Sequence, residues 1–490
     1  MHVFPVIDLF AGPGGLNEGF SSVRDEHGNF VYKTLASFEM DTLACQTLRL
    51  RATYRELVRS GGDLRPYFDY IEGRKTWYSV LTGDFKKAYL AAKSHVYQVE
   101  LGETNRPEVD DFIAQQLGPE NERGHWALIG GPPCQAYSLA GRSRRTGDES
   151  FASDHKHFLY REYLHILGKF KPTIFVMENV KGLLSSKNGD SSMFQTILGD
   201  LKRLPSGARY EIRSLVVDAD PHDLDPSDFI IRSEEYGVPQ KRHRVILLGI
   251  RTDVAAQVPR RVLKKADGPV TVRAALQTMP SVRTQISPRK PKVERDWNSI
   301  QAEALAEIRS FPLPSNPEPI KPGTLAVDAY EAWVHEARLK TPVQHVPRTH
   351  MVSDLARYRV LAELAERLGK SPKYTDLPAA LHPDHNNIGQ DGTPFTDRFR
   401  VQVWDAPATT VVSHISKDGH YYIHPDPKQG RSLTVREAAR LQSFPDNYFF
   451  EGPRTQQFHQ VGNAVPPLLS KQIGEVVAEM LELLGSNRGS

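Results

Sequence analysis

Short apolar runs that end in glycine, proline or an acid alternate, through the first half of the chain, with longer stretches of helical spacing. Val3 to Phe10 reads as a buried strand entering Ala11-Gly12-Pro13-Gly14-Gly15, and Leu16 to Val23 then repeats with helical period. Tyr32 to Phe38 is a second strand ending at Glu39, before a helix from Thr42 to Val58. Thr76 to Leu81 is read as a third strand, leading to Gly83-Asp84-Phe85, and Lys86 to Gly124 as a polar, helical insertion. The run Trp126 to Ile129 feeds the loop Gly130 to Arg142. A helix, Phe158 to Phe170, leads to a fifth strand, Pro172 to Met177, that ends in Glu178-Asn179-Val180. Tyr210 to Val217 and Val245 to Ile250 complete the series. Strands alternating with helices predict an α/β fold around an open, doubly wound, mostly parallel sheet.

The texture changes around Pro259. Basic, proline-rich pieces such as Arg260 to Lys265 and Pro288 to Lys292 alternate with short helices, and no βα rhythm is visible through Arg400. His345 to Arg359, with Arg348, His350, Arg357 and Arg359, reads as a basic patch suited to nucleic acid, although a generic irregular domain has the same appearance. Val411 to Ile423 is expected to form a hairpin around Asp418-Gly419, with His414 and His420 in structural roles. Thr434 and Glu437 have the spacing of a capping box, which starts a helix running to about Gln442. Gly462-Asn463 precedes a final helix, Leu468 to Leu484.

Composition narrows the class. The 490 residues are 39% hydrophobic and 25% charged, ordinary for a globular protein, and long enough for two domains or more. No apolar run approaches the roughly 18 residues of a membrane span, and the start lacks the pattern of a signal peptide, so a cytoplasmic protein without a membrane partner is expected. Only two cysteines occur, Cys45 and Cys134, in segments that want separate places, so reduced thiols are expected. A net charge of +3 leaves nucleic acid open. The acidic loop Asp218 to Asp228 lacks the spacing of a calcium loop and is read as surface, so no metal is expected.

The candidate chemistry sits at strand ends. A glycine turn before a helix lets a nucleotide-like cofactor approach the backbone, though it can also be only a tight turn. Glu39 is placed to accept ribose hydroxyls, or equally to start a helix. Asp84 is a candidate for an adenine amino group. Two prolines fix the backbone before Cys134, as for a positioned nucleophile, while free cysteine is also common as buried filler. Glu178 ends the neighbouring strand. Arg242 and Arg244, two apart on a strand, would face one way and suit a phosphate or a polarised carbonyl. Arg142, Arg144 and Arg145 form either a closing basic loop or a solvated charge run.

Taken together, these segments resemble the cytosine-5 DNA methyltransferase family, in the family's order along nearly the whole chain. Asp8 to Gly15 is similar to its cofactor loop, Gly131-Pro-Pro-Cys-Gln135 to its nucleophile motif and Glu178-Asn-Val180 to its acid motif. Gln240-Lys-Arg-His-Arg244 resembles its basic strand motif, Arg436 to Gln442 the helix before its last motif, and Gly462-Asn-Ala-Val-Pro466 that last motif.

The resemblance implies a Rossmann-like class I methyltransferase fold over residues 1–258, a smaller, irregular target-recognition domain over 259–454, and a segment, 455–490, returning to the first domain. It implies S-adenosylmethionine as cofactor, held by Phe10, Gly12, Pro13, Gly14, Gly15, Glu39, Asp84, Pro133 and Asn463. It implies that Cys134 attacks carbon 6 of cytosine while Glu178 meets ring nitrogen 3, Asn179 positions the base edge, and Arg244, with Arg242, contacts the flipped base. Gln135 and Ser138, with Arg142, Arg144 and Arg145, would reach into DNA. The expected function is methylation of carbon 5 of a cytosine in a specific duplex DNA sequence, by a monomer whose functional partner is a restriction endonuclease. The alternatives are a relative that methylates transfer RNA and a non-catalytic DNA-binding relative. A nicotinamide oxidoreductase is disfavoured because the spacing Gly-x-Gly-x-x-Gly is absent.

Overall fold

In the computed structural model, residues 3–132, 159–188, 191–288, 295–310, 321–382 and 399–486 are described. The chain divides into two compact units, one made of 1–233, 243–265 and 464–490 and the other of 234–242 and 266–463.

The first unit is built on an eight-stranded sheet. Its strands are β1 (Phe4–Leu9), β2 (Tyr32–Glu39), β3 (Val96–Gln98), β4 (Ala127–Gly130), β5 (Ile174–Val180), β6 (Tyr210–Arg213), β7 (Ile230–Arg232) and β8 (His243–Arg251). Their order is β3-β2-β1-β4-β5-β8-β6, with β7 also on β8. The first five are parallel; β8 runs antiparallel to β5, β6 and β7. The central strands β1, β4 and β5 are buried almost throughout, as expected of parallel strands covered on both faces. Strand order reverses between β1 and β4, the place where open α/β sheets bind ligands at their carboxyl ends.

Two expectations fail in this unit. Thr76 to Leu81 is not a strand: Trp77–Val80 is a helical turn, and the Trp77 ring packs 5.3 Å from Tyr70 and 4.9 Å from Tyr89. The third strand is β3, three residues inside the stretch read as a helical insertion, and held there by Val99 N donating to Glu39 O at 3.0 Å. The acidic loop is closed by its own capping box, Asp225 with Asp228.

Helix α1 (Gly15–Ser22) packs along the last helix, α2 (Pro467–Ser486). A Cβ on Gly15 would lie 2.2 Å from Val465 O, and one on Gly19 2.3 Å from Lys471 N, so these glycines serve close packing. Tyr32 Oη donates to Gly474 O at 2.6 Å, and Ser470 Oγ to Leu16 O. The last part of the first unit begins at Ala464. Residues 259–265 stay with the first unit as well, since Leu263 N donates to Leu215 O, Arg260 pairs with Asp220 and Arg261 with Glu479.

The second unit is irregular. Its hydrophobic cluster gathers around the helix Val352–Leu368 and includes Trp297, Tyr358, Leu361 and Ile423. The expected capping box at Thr434 and Glu437 is present on the helix Val435–Leu441. Asp418-Gly419 forms no hairpin: Ser413–Ser416 is a 3-10 helix, and Ile423 bridges Val401 and Ser432 instead. The basic stretch His345 to Arg359 is largely interior. His345 bonds Thr434 and Pro280, Arg348 the carbonyls of Ile415 and Ser416, His350 Ser432, and Arg357 Leu381 and Asp354.

Candidate active site

Sheet register aligns the candidate residues. Phe38 of β2, Leu9 of β1, Gly130 of β4 and Met177 of β5 are paired in one row. One residue further on, at the carboxyl edge, stand Glu39, Phe10, Gly131 and Glu178. Segments far apart in sequence thus deliver their chemistry to one line.

After β1 the backbone turns sharply. Phe10 (φ 54°), Gly12 (φ 55°) and Gly14 (φ 93°) are all left-handed. Such a conformation disfavours a residue with a Cβ by about 1–2 kcal/mol, so Phe10 is a strained point, tolerated where its ring packs on the core. Gly14 starts α1, and no atom lies within 4 Å of where a Gly12 Cβ would be, so the turn leaves an open cradle. The Glu39 carboxylate holds this cradle: Oε2 accepts from Gly12 N at 2.8 Å, and Oε1 from Met40 N and Asp41 N at 2.9 Å. Burial raises its pKa, with those N–H groups opposing. Cys45 lies beneath, its buried thiol donating to Glu39 O at 3.3 Å and pushed up to about 12 by burial, hence unreactive.

Asp84 is placed differently from expectation. It lies in the first turn of the helix Gly83–Lys93, exposed, 3.6 Å from Lys87. The carboxyl end of β3, beside Glu39, carries Gln98 and then Glu100 instead. Sequence reasoning missed β3 because a three-residue strand has too little periodicity to be seen.

On the other side of the row, Arg244 Nε lies 2.8 Å from Glu178 Oε1, an ion pair rather than a well-aligned hydrogen bond. Each side chain is 14% exposed, so the pair is sheltered yet reachable. Arg244 also donates from Nη1 to His243 O at 2.9 Å. Asn179 is buried, its Oδ1 accepting from Val180 N at 2.8 Å. Arg242 does not share the face of Arg244. The strand breaks between Lys241 and His243, and Arg242 is a buried tie whose Nη1 donates to Val411 O at 2.8 Å and Gly462 O at 3.3 Å. Asn463 ends the helix Arg454–Asn463, with its amide 2.9 Å from His459 Nε2. Pro133, Cys134, Gln135, Ser138, Arg142, Arg144 and Arg145 lie outside the described residues. Among the described residues no cluster of acids, histidines and cysteines could hold a metal, and no helix is long and apolar enough to cross a membrane.

The model of the C-5 cytosine-specific DNA methylase family matches residues 87–479. The chain belongs to this family. This methylase is 34% identical to the type II methyltransferase M.Bpa9945I of Bacillus paralicheniformis, over 97% of its own length and 99% of the relative's. It is 29% identical to the type II methyltransferase M.AgeI of Thalassovita gelatinovora, over 96% of its own length and 98% of the relative's. A crystal structure from E. coli, described as a prophage-encoded DNA modification methyltransferase, shares the fold, with a TM-score of 0.52 and 18% identity over 98% of this chain and 99% of that one. The methylase is thus an enzyme, a DNA (cytosine-5-)-methyltransferase with an α/β fold around a mainly parallel sheet.

Proposed function

We propose that this chain methylates carbon 5 of a cytosine within a specific duplex DNA sequence, through a covalent adduct between Cys134 and carbon 6 of a flipped-out base. The observation that carries this reading is the shared edge row, which sets Glu39 beside the glycine cradle and Glu178 beside Arg244.

The cradle fits S-adenosylmethionine. Open space lies beside Gly12, next to the Glu39 carboxylate, and beyond its three backbone hydrogen bonds Glu39 retains a lone pair for a ribose hydroxyl. Phe10, the turn from Gly12 to Gly15 and Glu39 would hold it, with Glu100 in the place expected of Asp84. When bound, S-adenosylmethionine supplies an electrophilic methyl group on a sulfonium sulfur.

Carbon 5 of cytosine is a weak nucleophile, and the base must leave the stack to be reached. The Cys134 thiolate forms a bond to carbon 6, and the ring's electrons shift so that carbon 5 becomes enamine-like. Glu178 stabilises this adduct at ring nitrogen 3, as proton donor or hydrogen-bond partner. Arg244 holds the Glu178 carboxylate and offers its remaining N–H groups to the base. After carbon 5 is methylated, loss of its proton breaks the carbon 6–sulfur bond and restores the ring. A free thiol with a pKa near 8.5 is only a few per cent ionised at neutral pH, so a cationic surrounding assists. The arginines after Cys134 contact DNA, and the second unit reads the target sequence. The likeness to type II methyltransferases supports a role in protecting sites from a partner endonuclease; the proposed form is a cytoplasmic monomer.

The test is transfer of a tritiated methyl group to duplex DNA and to transfer RNA, with bisulfite sequencing of the DNA. Incorporation into DNA at one sequence context is expected, lost at least ~100-fold in Cys134→Ser. Labelling of transfer RNA alone, or a wild-type rate in Cys134→Ser, overturns the proposal.

A further inference from the structure

The Glu178 carboxylate is bounded by a charge on one oxygen and by a missing side chain on the other. Arg244 Nε faces Oε1. On the opposite side a Cβ built on Gly131 would lie 2.9 Å from Oε2, 3.3 Å from the Glu178 carbonyl oxygen and 3.6 Å from its Cβ. Register explains the closeness: Gly130 pairs with Met177, so the next residues, Gly131 and Glu178, stand side by side where β4 ends and β5 continues. Gly131 is not among the left-handed glycines, so its backbone conformation does not require glycine. The space does.

We propose that Gly131 is a positioning residue for Glu178: its bare backbone is the wall against which the carboxylate rests, and it fixes where Oε2 points. The proposal depends on Glu178 meeting ring nitrogen 3, as argued above. An alanine would bring its Cβ to 2.9 Å, where real Cβ atoms are not found, and ordinary contact begins at 3.4 Å, so Oε2 must retreat by 0.5 Å or more. Catalytic geometry is sensitive on that scale, since a 1 Å misplacement can lower a rate about 100-fold.

The experiment is a cycle of Gly131→Ala, Glu178→Gln and the double variant in the full-length protein, measuring kcat on duplex DNA per molecule able to bind S-adenosylmethionine. Gly131→Ala is expected to lower kcat roughly 10- to 100-fold, with the Kd for S-adenosylmethionine within about twofold of wild type. In the Glu178→Gln background it should cost less than about threefold, because both changes strike one interaction. Stability gives a second readout that needs no activity: the loss of Tm caused by Gly131→Ala should shrink in a Glu178→Ala background. Rate effects that multiply, a near-wild-type Gly131→Ala, or an equal Tm loss in both backgrounds each overturn the positioning role. A wild-type rate in Glu178→Gln would instead overturn the role of Glu178 itself.

Discussion

Glu39→Gln separates cofactor binding from folding at the cradle. The glutamate accepts three backbone hydrogen bonds, from Gly12 on one oxygen and from Met40 and Asp41 on the other. A glutamine has one acceptor oxygen and an NH2 group, so whichever way it turns, at least one of these N–H groups meets a donor. An unsatisfied buried N–H costs about 1–3 kcal/mol, and a hydroxyl bonded to a charged acceptor loses part of a further ~1.5–3 kcal/mol when the charge goes. The first cost falls on the folded protein with or without cofactor, so the loss on binding is the second, up to about 3 kcal/mol, which weakens S-adenosylmethionine roughly 10- to 150-fold. Isothermal titration without DNA measures it. Asp84→Asn is the control: its carboxylate is exposed and pairs with Lys87 at 3.6 Å, so its Kd should stay within about twofold. The sign of the pH effect follows from the raised Glu39 pKa. Ribose binding uses the ionised form, so affinity falls as pH drops through that raised pKa, beginning above the ordinary glutamate range near 4.3. A Glu39→Gln affinity within threefold of wild type, or an equal loss in Asp84→Asn, would refute the reasoning.

Three further outcomes are expected. In the second unit Glu437 is fully buried, accepting from both Arg431 Nη atoms at 2.7 and 2.6 Å and from Thr434 N at 2.7 Å, and the arginine holds its pKa well below the carboxylate range. Glu437→Gln leaves a buried arginine charge uncompensated and should destabilise by about 3–5 kcal/mol in urea unfolding; a loss under 1 kcal/mol would contradict it. Burial lowers His350 to about 3 and His424 to about 4, so each is neutral when folded and takes up a proton on unfolding below its unfolded pKa near 6.5. Stability should therefore be full above pH 6.5 and fall toward pH 4, by up to ~1.4 kcal/mol per pH unit for each histidine, and a flat stability profile from pH 7 to 5 would count against it. Truncation after Asn463 removes Leu468, Leu469, Ile473, Val477, Met480, Leu481 and Leu484, all buried in the first unit. At ~1.5–3 kcal/mol each this is on the order of 10–20 kcal/mol, at least the stability of a typical domain, so circular dichroism and cofactor titration should find neither a folded first unit nor binding.

What the sequence reveals here is what is local. The Thr434–Glu437 box is legible because both partners lie within one turn, and the strand, turn and helix from Phe4 to Ser22 because period and glycine placement change within a few residues. Misreadings arise where distant partners decide. Trp77-Tyr78-Ser79-Val80 has strand-like composition, but Trp77 takes its partners from neighbouring helices. Arg242 and Arg244 are two apart, yet the break before His243 sends one to carbonyls of Val411 and Gly462 and the other to Glu178. The cations of His345 to Arg359 look like a surface patch because charge is visible in a sequence and the carbonyls that absorb it are not. Gly15 reads with Gly12 and Gly14 as part of the cofactor turn, and the sequence does not show that its missing side chain also admits Val465, about 450 residues later.

The edge row also predicts which parts of the site are energetically independent. Glu39 and Glu178 stand on β2 and β5, three strand spacings apart through β1 and β4, or about 14 Å at ~4.8 Å per spacing. That exceeds the screening length of roughly 8 Å at physiological salt, and each carboxylate has its own partners: backbone N–H groups for Glu39, Arg244 and the Gly131 wall for Glu178. With no shared partner, Glu39→Gln and Glu178→Gln should multiply in kcat/KM, the free energies adding within about 0.5 kcal/mol. Gly131→Ala and Glu178→Gln, adjacent and sharing one oxygen, should not. Coupling between the two distant carboxylates as strong as that between the adjacent pair would mean that the edge moves as one piece, and that the row is a mechanical unit instead of two sites on a rigid sheet.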